Sequence, residues 1–315
     1  MKVVITDCNF ESFDQEKTVC KQHGFELQLH QCSTPAEVIS VAQSADALLV
    51  QYAPITREVL QRLCHCKVVV RYGIGVDSID IEAAKELGIA VCNVPDYGID
   101  EVADHAAALA LSLGRQLPYF DHKIRQQQWP AGTPTPLMSF SDMTFAIVGA
   151  GRIGQALVQR MRPFGFKFVA YDPFVSANDL AHIGIKKLEL DELFATADVV
   201  SLHLPLIEAT HHVINAQRLK QMKSNAALIN TSRGGLVDTQ ALAMALEKGE
   251  IAFAGIDVFE SEPMEQSHPL RRCTNAILTP HIAYYSVASV VRLQRYAIED
   301  VARCLLGEDL RCRVC

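Results

Sequence analysis

The sequence predicts an α/β protein made of two doubly wound, parallel-sheet lobes in series. Three observations carry that reading. Short β-prone runs alternate with helical patterns along nearly the whole chain, and alternation with short links builds parallel sheets with helices on both faces. At 315 residues the chain is longer than one hydrophobic core usually serves. In the middle, from Thr144 to Asp172, an apolar run, three glycines, a helical pattern and a second apolar run start a new series.

The first series runs KVVIT, a helix to about His23, FELQLHQ, TPAEVISVAQS, ADALLVQYA, TREVLQRL, KVVVRYG, DIEAAKELG and AVCNVP. Residues 1 to about 97 therefore form one flavodoxin-like layer. Asp100 and Glu101 then open a long alanine-rich helix, placing acids where they complement the helix dipole. Its apolar stripe, Val102, Ala106, Leu109 and Leu113, requires a partner surface. After Trp129 comes PAGTPTPLMSFSDM, with three prolines in seven residues, which reads as an irregular surface connection.

The central stretch, TFAIVGAGRIGQALVQRMRPFGFKFVAYD, carries the spacing G-x-G-x-x-G at Gly149, Gly151 and Gly154. Bare spacing of this kind is weak evidence. Its context, a strand before, a helix after and an acid 18 residues beyond Gly154, is that of a dinucleotide fingerprint. Gly149 would permit the tight turn, Gly151 the close approach of a pyrophosphate and Gly154 the packing of helix on strand. The N–H groups at the helix start, Arg152 and Ile153 among them, would face the phosphates, and Asp172 the ribose hydroxyls. Beyond it follow a helix near Ala177 to His182, IKKLEL, DELFATA, DVVSLHLPL, NAQRLKQM, AALINTS, TQALAMALEKG, AFAGIDVF and AILTPH, a second doubly wound sheet. From Ser286 to Leu306 an amphipathic helix ends at Gly307, and we expect it to fold back over the N-terminal lobe.

Composition excludes several classes. With 49% hydrophobic and 21% charged residues, the chain reads as an ordinary globular protein. A formal charge of −7 and a pI near 5.9, without clustered Lys and Arg, give no support to nucleic-acid binding. MKVVITD runs straight into a strand pattern, and the most apolar helical stretch, Ala106 to Leu113, is too short to span a bilayer. Neither export nor membrane insertion is expected, and the location expected is cytoplasmic. The ten cysteines lie mostly singly within apolar runs, so reduced thiols are expected. Cys64 and Cys66 flank His65, but C-x-C lacks the usual ligand spacing and no second cluster answers it, so no metal site is expected.

In doubly wound sheets, ligands bind beyond the carboxyl ends of strands. Asp172, His203 and Pro205, Thr231 to Arg233, Asp257 and His281 all fall there. Arg233 offers a planar fork suited to a carboxylate or carbonyl oxygen. Glu262 could hold a histidine, and His281, between Pro280 and Ile282, is of a type that titrates near neutrality and can pass a proton.

These residues resemble the D-isomer-specific 2-hydroxyacid dehydrogenases. VVVRYGIGVDSIDIEAAKELGIAVCNVP, EVADHAAALAL, VGAGRIG, YDP, LHLPL, INTSRGGLVD, GIDVFESEP and LTPHIA are similar to that family's signatures, in its order, over almost the whole chain. HHVINAQRLKQM, DVFESEP and PHIAYYS most resemble the branch containing the C-terminal-binding proteins, which double as transcriptional corepressors in animals.

The resemblance implies a Rossmann NAD-binding domain, residues 99–285, inserted in a flavodoxin-like substrate-binding domain, residues 1–98 and 286–315. It implies that Arg233 binds the carboxylate and polarises the carbonyl of a small 2-oxo acid, while Glu262 orients His281 and favours its protonated form. His281 would then exchange the proton with the 2-hydroxy acid oxygen. NAD contacts fall to Gly149, Gly151, Arg152, Ile153, Gly154, Asp172, His203, Pro205, Thr231, Ser232, Arg233, Asp257 and His281. Substrate contacts fall to the backbone of Tyr72, Gly73, Ile74 and Gly75, and to Arg233, His281 and Tyr284. Asp172 should favour NAD over NADP, with Lys186 and Lys187 as the nearby cations to watch.

The alanine-rich helix resembles the family's dimer element, so a homodimer is expected. Tyr284 stands where the corepressor branch usually has Trp, and the fingerprint reads GAG where GLG is commoner. Because the chain ends soon after its last helix, the regulatory domain of some phosphoglycerate dehydrogenases is not expected. Two functions fit: an NAD-dependent reductase of small 2-oxo acids, or an NAD(H)-sensing dimeric corepressor-like module with little turnover. Retention of Arg233, Glu262 and His281 together favours the enzyme.

Overall fold

The computed structural model describes residues 1–133 and 135–315; Pro134, in the stretch expected to be an irregular connection, lies outside the described residues. The chain divides into two compact units, Met1–Gly98 with Tyr285–Cys315, and Ile99–Tyr284.

The first unit begins with β1 (Lys2–Ile5), α1 (Asp14–His23), β2 (Glu26–Leu29), α2 (Pro35–Ala42), β3 (Ala47–Val50), α3 (Arg57–Arg62), β4 (Val68–Arg71), α4 (Ile81–Leu87) and β5 (Ala90–Cys92). Local chemistry sets these boundaries. Thr34 and Glu37 form a capping box ahead of Pro35, Asp80 caps α4, and Gly24 and Gly88 close α1 and α4 in the left-handed conformation. The sheet order is β2-β1-β3-β4-β5, with every strand pair parallel, as in flavodoxin-like folds. Val4, Leu48, Val50, Val69 and Val91 point to one face, where they pack on α2, α3 and α4.

The second unit holds α5 (Ile99–Gly114), α6 (Leu117–Arg125), β6 (Thr144–Val148), α7 (Arg152–Met161), β7 (Lys167–Tyr171), α8 (Ala177–His182), β8 (Lys186–Lys187), α9 (Leu190–Thr196), β9 (Val199–Leu202), α10 (Ala216–Gln221), β10 (Ala227–Asn230), α11 (Thr239–Lys248), β11 (Phe253–Ile256) and β12 (Ala276–Leu278). Its parallel sheet runs β12-β11-β10-β9-β6-β7-β8, the doubly wound order that reverses between β6 and β9. Alternate strand residues feed two cores. Ala146, Val148, Val200, Leu202 and Leu228 face α9, α10 and α11; Phe145, Ile147, Val199, Ala227 and Ile229 face α5, α7 and α8.

The chain then returns to the first unit through α12 (Val287–Leu306), capped by Ser286 and closed by Gly307. This helix packs on α1, β3 and β4, which buries the stripe Leu293, Ala297 and Val301.

Two local expectations change. IKKLEL is a strand only over Lys186–Lys187, because Glu189 already stands at the N-cap of α9. The alanine-rich helix stops at Gly114, and a new helix starts after Gln116, whose φ of 52° breaks the helical path. All ten cysteines are free thiols. Among the described residues no helix is long and apolar enough to cross a membrane.

Candidate active site

Parallel strands put their carboxyl ends along one edge of a sheet, and in the second unit that edge gathers the fingerprint glycines, Asp172, His203, the turn Thr231–Arg233, Asp257 and His281. Gly149 adopts φ +99°, and a Cβ there would stand 2.5 Å from the His203 carbonyl oxygen, so the β6–α7 turn tolerates no side chain at this point. At Gly151 a Cβ would meet nothing within 4 Å, and the position is exposed. Gly151 is the N-cap of α7 without a side-chain cap, and the next three N–H groups, Arg152 to Gly154, precede the first intrahelical bond, from Gln155. An open, donor-rich helix start of this kind is what a pyrophosphate requires.

Asp172 closes the other side. Its Oδ2 accepts the Ala150 N–H at 2.8 Å and its Oδ1 the Phe174 N–H at 2.8 Å, so the carboxylate is fixed where the fingerprint turn begins. Lys187 donates to the Val175 carbonyl at 2.7 Å, and Lys186 lies 3.8 Å from Glu192, so both lysines are engaged away from Asp172.

His203 follows β9. Its Nε2 lies 2.9 Å from the Ser201 hydroxyl, while Nδ1 is buried without a protein partner. Burial pushes this imidazole down from 6.5 to about 4, so it is neutral near pH 7. The Thr231 hydroxyl is likewise buried without a protein partner, and Ser232 donates to the Leu202 carbonyl at 2.7 Å. Two orphaned polar atoms on the edge that carries the fingerprint fit a polar cofactor, and the residues present accommodate NAD. Pro205 is exposed on the loop after β9.

Arg233 begins a tight turn. Its Nη1 donates to the Ser232 carbonyl at 2.7 Å, and Asn230 holds its backbone by donating to the Arg233 carbonyl at 2.9 Å. The backbone of Phe259 and Glu260 lies directly against Gly234, where any Cβ would overlap the Phe259 carbonyl. This contact brings Arg233 next to the segment carrying Glu262. Glu262 accepts the Phe259 N–H through Oε1 at 2.9 Å, and its Oε2 lies 2.6 Å from Nδ1 of His281. Burial alone would raise the Glu262 carboxyl, but the hydrogen bond and charge of His281, the Phe259 N–H and Arg233 hold it below the usual carboxylate range. Tyr284 sits beside the imidazole, ring centres 6.3 Å apart in an edge-on arrangement. Arg233, Glu262, His281 and Tyr284 are therefore brought together.

Asp257 works from behind. It has no exposed surface, and its oxygens accept from the Thr279 hydroxyl (2.6 Å) and from the N–H groups of Ile282 and Ala283 (2.9 Å each). The His281 N–H meanwhile donates to the Asp257 carbonyl at 2.7 Å, within a backbone held at φ 54°. In this arrangement Asp257 shapes the histidine loop. His105 of α5 continues the network with Nε2 3.0 Å from the Thr279 hydroxyl. Sequence reasoning passed over His105, although its spacing from Val102 and Leu109 places it on the buried stripe of α5, where a polar residue calls for a partner.

In the first unit, the segment after β4 is held by Tyr72. The Tyr72 side chain is buried, edge-on to Phe10 at 5.1 Å, and its hydroxyl donates to Glu16 at 2.7 Å; its own N–H is taken by the Val50 carbonyl. Tyr72 is thus an anchor of the segment. Gly73 accepts the Val94 N–H and Ile74 the Asn93 side chain, at 2.9 and 2.6 Å, which pins the carbonyl groups of the turn. Ile74 and Gly75 are partly exposed.

No three His, Cys, Asp or Glu side chains converge on a metal-binding geometry among the described residues.

Residues 107–283 match the family model described as D-isomer specific 2-hydroxyacid dehydrogenase, NAD binding domain. The chain is 38% identical over 273 residues to D-3-phosphoglycerate dehydrogenase of Mycobacterium bovis, covering 86% of this chain and 51% of that protein. It is 33% identical over 314 residues to the protein of the same name from Synechocystis, covering 99% of this chain and 56% of that one. The chain thus spans about half the length of these curated relatives. Among solved structures, D-lactate dehydrogenase from Aquifex aeolicus, complexed with NAD and lactic acid, is 29% identical with a TM-score of 0.88, covering 97% of this chain and 96% of that chain. Sequence and fold agree: the chain belongs to the D-isomer specific 2-hydroxyacid dehydrogenase family, with its NAD-binding domain in residues 107–283.

Proposed function

We propose that this protein is an NAD-dependent oxidoreductase that interconverts a small 2-oxo acid and its D-2-hydroxy acid, with His281 as the acid/base. The observation that carries this reading is the 2.6 Å contact between Glu262 and Nδ1 of His281 on the strand-end edge that also bears the fingerprint. Holding Nδ1 against a carboxylate orients the ring and leaves Nε2 to exchange a proton with the substrate oxygen. Arg233 provides the cation for the carbonyl oxygen on which charge develops. Gly149 to Gly154 would hold the pyrophosphate of NAD, Asp172 its ribose, and His203 and Thr231 the groups reaching their orphaned atoms. When bound, NAD supplies or takes up the hydride.

The test is to mix protein and NADH with glyoxylate, hydroxypyruvate, pyruvate and longer 2-oxo acids and follow absorbance at 340 nm. Turnover on at least one acid is expected, with NADH preferred over NADPH by roughly tenfold or more in kcat/KM because Asp172 repels a 2′-phosphate. Tight NADH binding with no turnover on any acid would favour the sensing module; parity of the two cofactors would remove Asp172 as the selector.

A further inference from the structure

We propose that His212 and Glu260 are positioning residues that strap the Arg233 turn to the segment carrying Glu262, an inference that deepens the acid/base reading above and rests on it. The bent segment Phe259–Glu262 after β11 carries two carboxylates two residues apart, and they engage different histidines. Glu262 meets His281, while Oε1 of Glu260 lies 2.6 Å from Nε2 of His212. The second oxygen of Glu260 accepts the Thr239 N–H at the start of α11, at 3.3 Å.

His212 is fixed from the other end. Its backbone N–H donates to the Gly235 carbonyl at 2.8 Å, its φ is 48°, and its ring stacks on His211 with centres 4.0 Å apart. Gly235 follows Gly234, which bears on the Phe259 backbone, and Arg233 precedes both. A closed loop of contacts results: Arg233 turn, Gly235 carbonyl, His212, Glu260, Phe259, Glu262. Burial would raise the Glu260 carboxyl, but Thr239 and His212 hold it below the usual range, so the strap carries its charge near neutral pH.

A displacement of about 1 Å between Arg233 and Glu262 is enough to cost a large factor in rate without altering cofactor affinity. Three variants test this in the full-length chain: His212→Ala, Glu260→Ala and Glu260→Gln, the last retaining an acceptor for His212. Either alanine variant should lower kcat by about tenfold. NADH affinity should stay within roughly twofold, and the alkaline limb of the kcat/KM profile for 2-oxo acid reduction should move to lower pH. Glu260→Gln should keep most of the turnover. The double alanine variant should cost little more than the worse single one, because the pair acts as a unit.

Amide hydrogen exchange on the cofactor-free protein supplies a readout independent of turnover: Gly234–Leu236 and Phe259–Glu262 should speed up together in both alanine variants. Wild-type kcat and pH profile in an active protein, or a lowered melting temperature with an unmoved profile, would overturn the inference. So would unchanged exchange at the two segments. A wild-type protein that turns over no 2-oxo acid would instead defeat the acid/base reading, and the exchange data would still decide the strap.

Discussion

His203, one residue past β9, and His281, three residues past β12, stand at the carboxyl edge of one sheet, and their surroundings differ in one decisive respect. His203 has a hydroxyl for company, and burial holds it neutral down to about pH 4. His281 has the Glu262 carboxylate at 2.6 Å, with Arg233 close enough to help keep that carboxylate ionised. On the proposed function, the same side chain is a fixed neutral hydrogen-bonding group in one place and a proton carrier in the other. The carboxylate partner makes the difference, since strand-end position is common to both.

The largest way to break this comparison is to remove the proton carrier. His281→Gln should lower kcat by at least about 10²-fold, the worth of a positioned acid/base group, while NADH affinity stays nearly unchanged. A comparable loss of NADH affinity would mean that His281 serves binding, as His203 is proposed to do, and the contrast would collapse.

A smaller effect sharpens the other side. The folded-state pKa of His203 lies below its ordinary value of 6.5, so under acid the unfolded chain binds the proton more readily than the folded one. That contribution to stability is complete above pH 6.5 and is lost as the pH falls towards about 4. The Glu262 and Glu260 carboxyls, both held below their usual range, add losses of the same sign as the pH falls through their folded values. Melting temperature should therefore decline from pH 6.5 to 4 in the wild type, and decline less steeply in His203→Gln. Parallel curves for the two proteins would show that His203 takes up a proton equally in both states.

The sequence made legible what lies in short contiguous patterns. Alternating runs predicted both sheets, the glycines and Asp172 predicted the cofactor edge, and Arg233, Glu262 and His281 stood out because reactive side chains at strand ends share one edge of a parallel sheet. What stayed hidden depends on contacts far apart in the chain. Glu260 and His212 are 48 residues apart, and His105 and Thr279 are 174 apart. The inward turn of Asp257 and the Tyr72–Glu16 bond, which spans 56 residues, were hidden for the same reason, since no local pattern says which way a polar group points once its partner lies in another element. The break at Gln116 had a local signal, Gly114 before it and Pro118 after it, but neither residue names Gln116 itself as the left-handed position that the fold uses there.

The central claim, that Glu262 is what makes His281 the proton carrier, is tested most directly by the pH profile of kcat/KM on the best 2-oxo acid for wild type and Glu262→Gln. The account predicts that the variant loses about tenfold or more in kcat and that the alkaline limb of its profile, where the proton donor is lost, moves to lower pH, because the Glu262–His281 coupling that holds the carboxyl low is removed with it. An unmoved profile, whatever the rate, would contradict it.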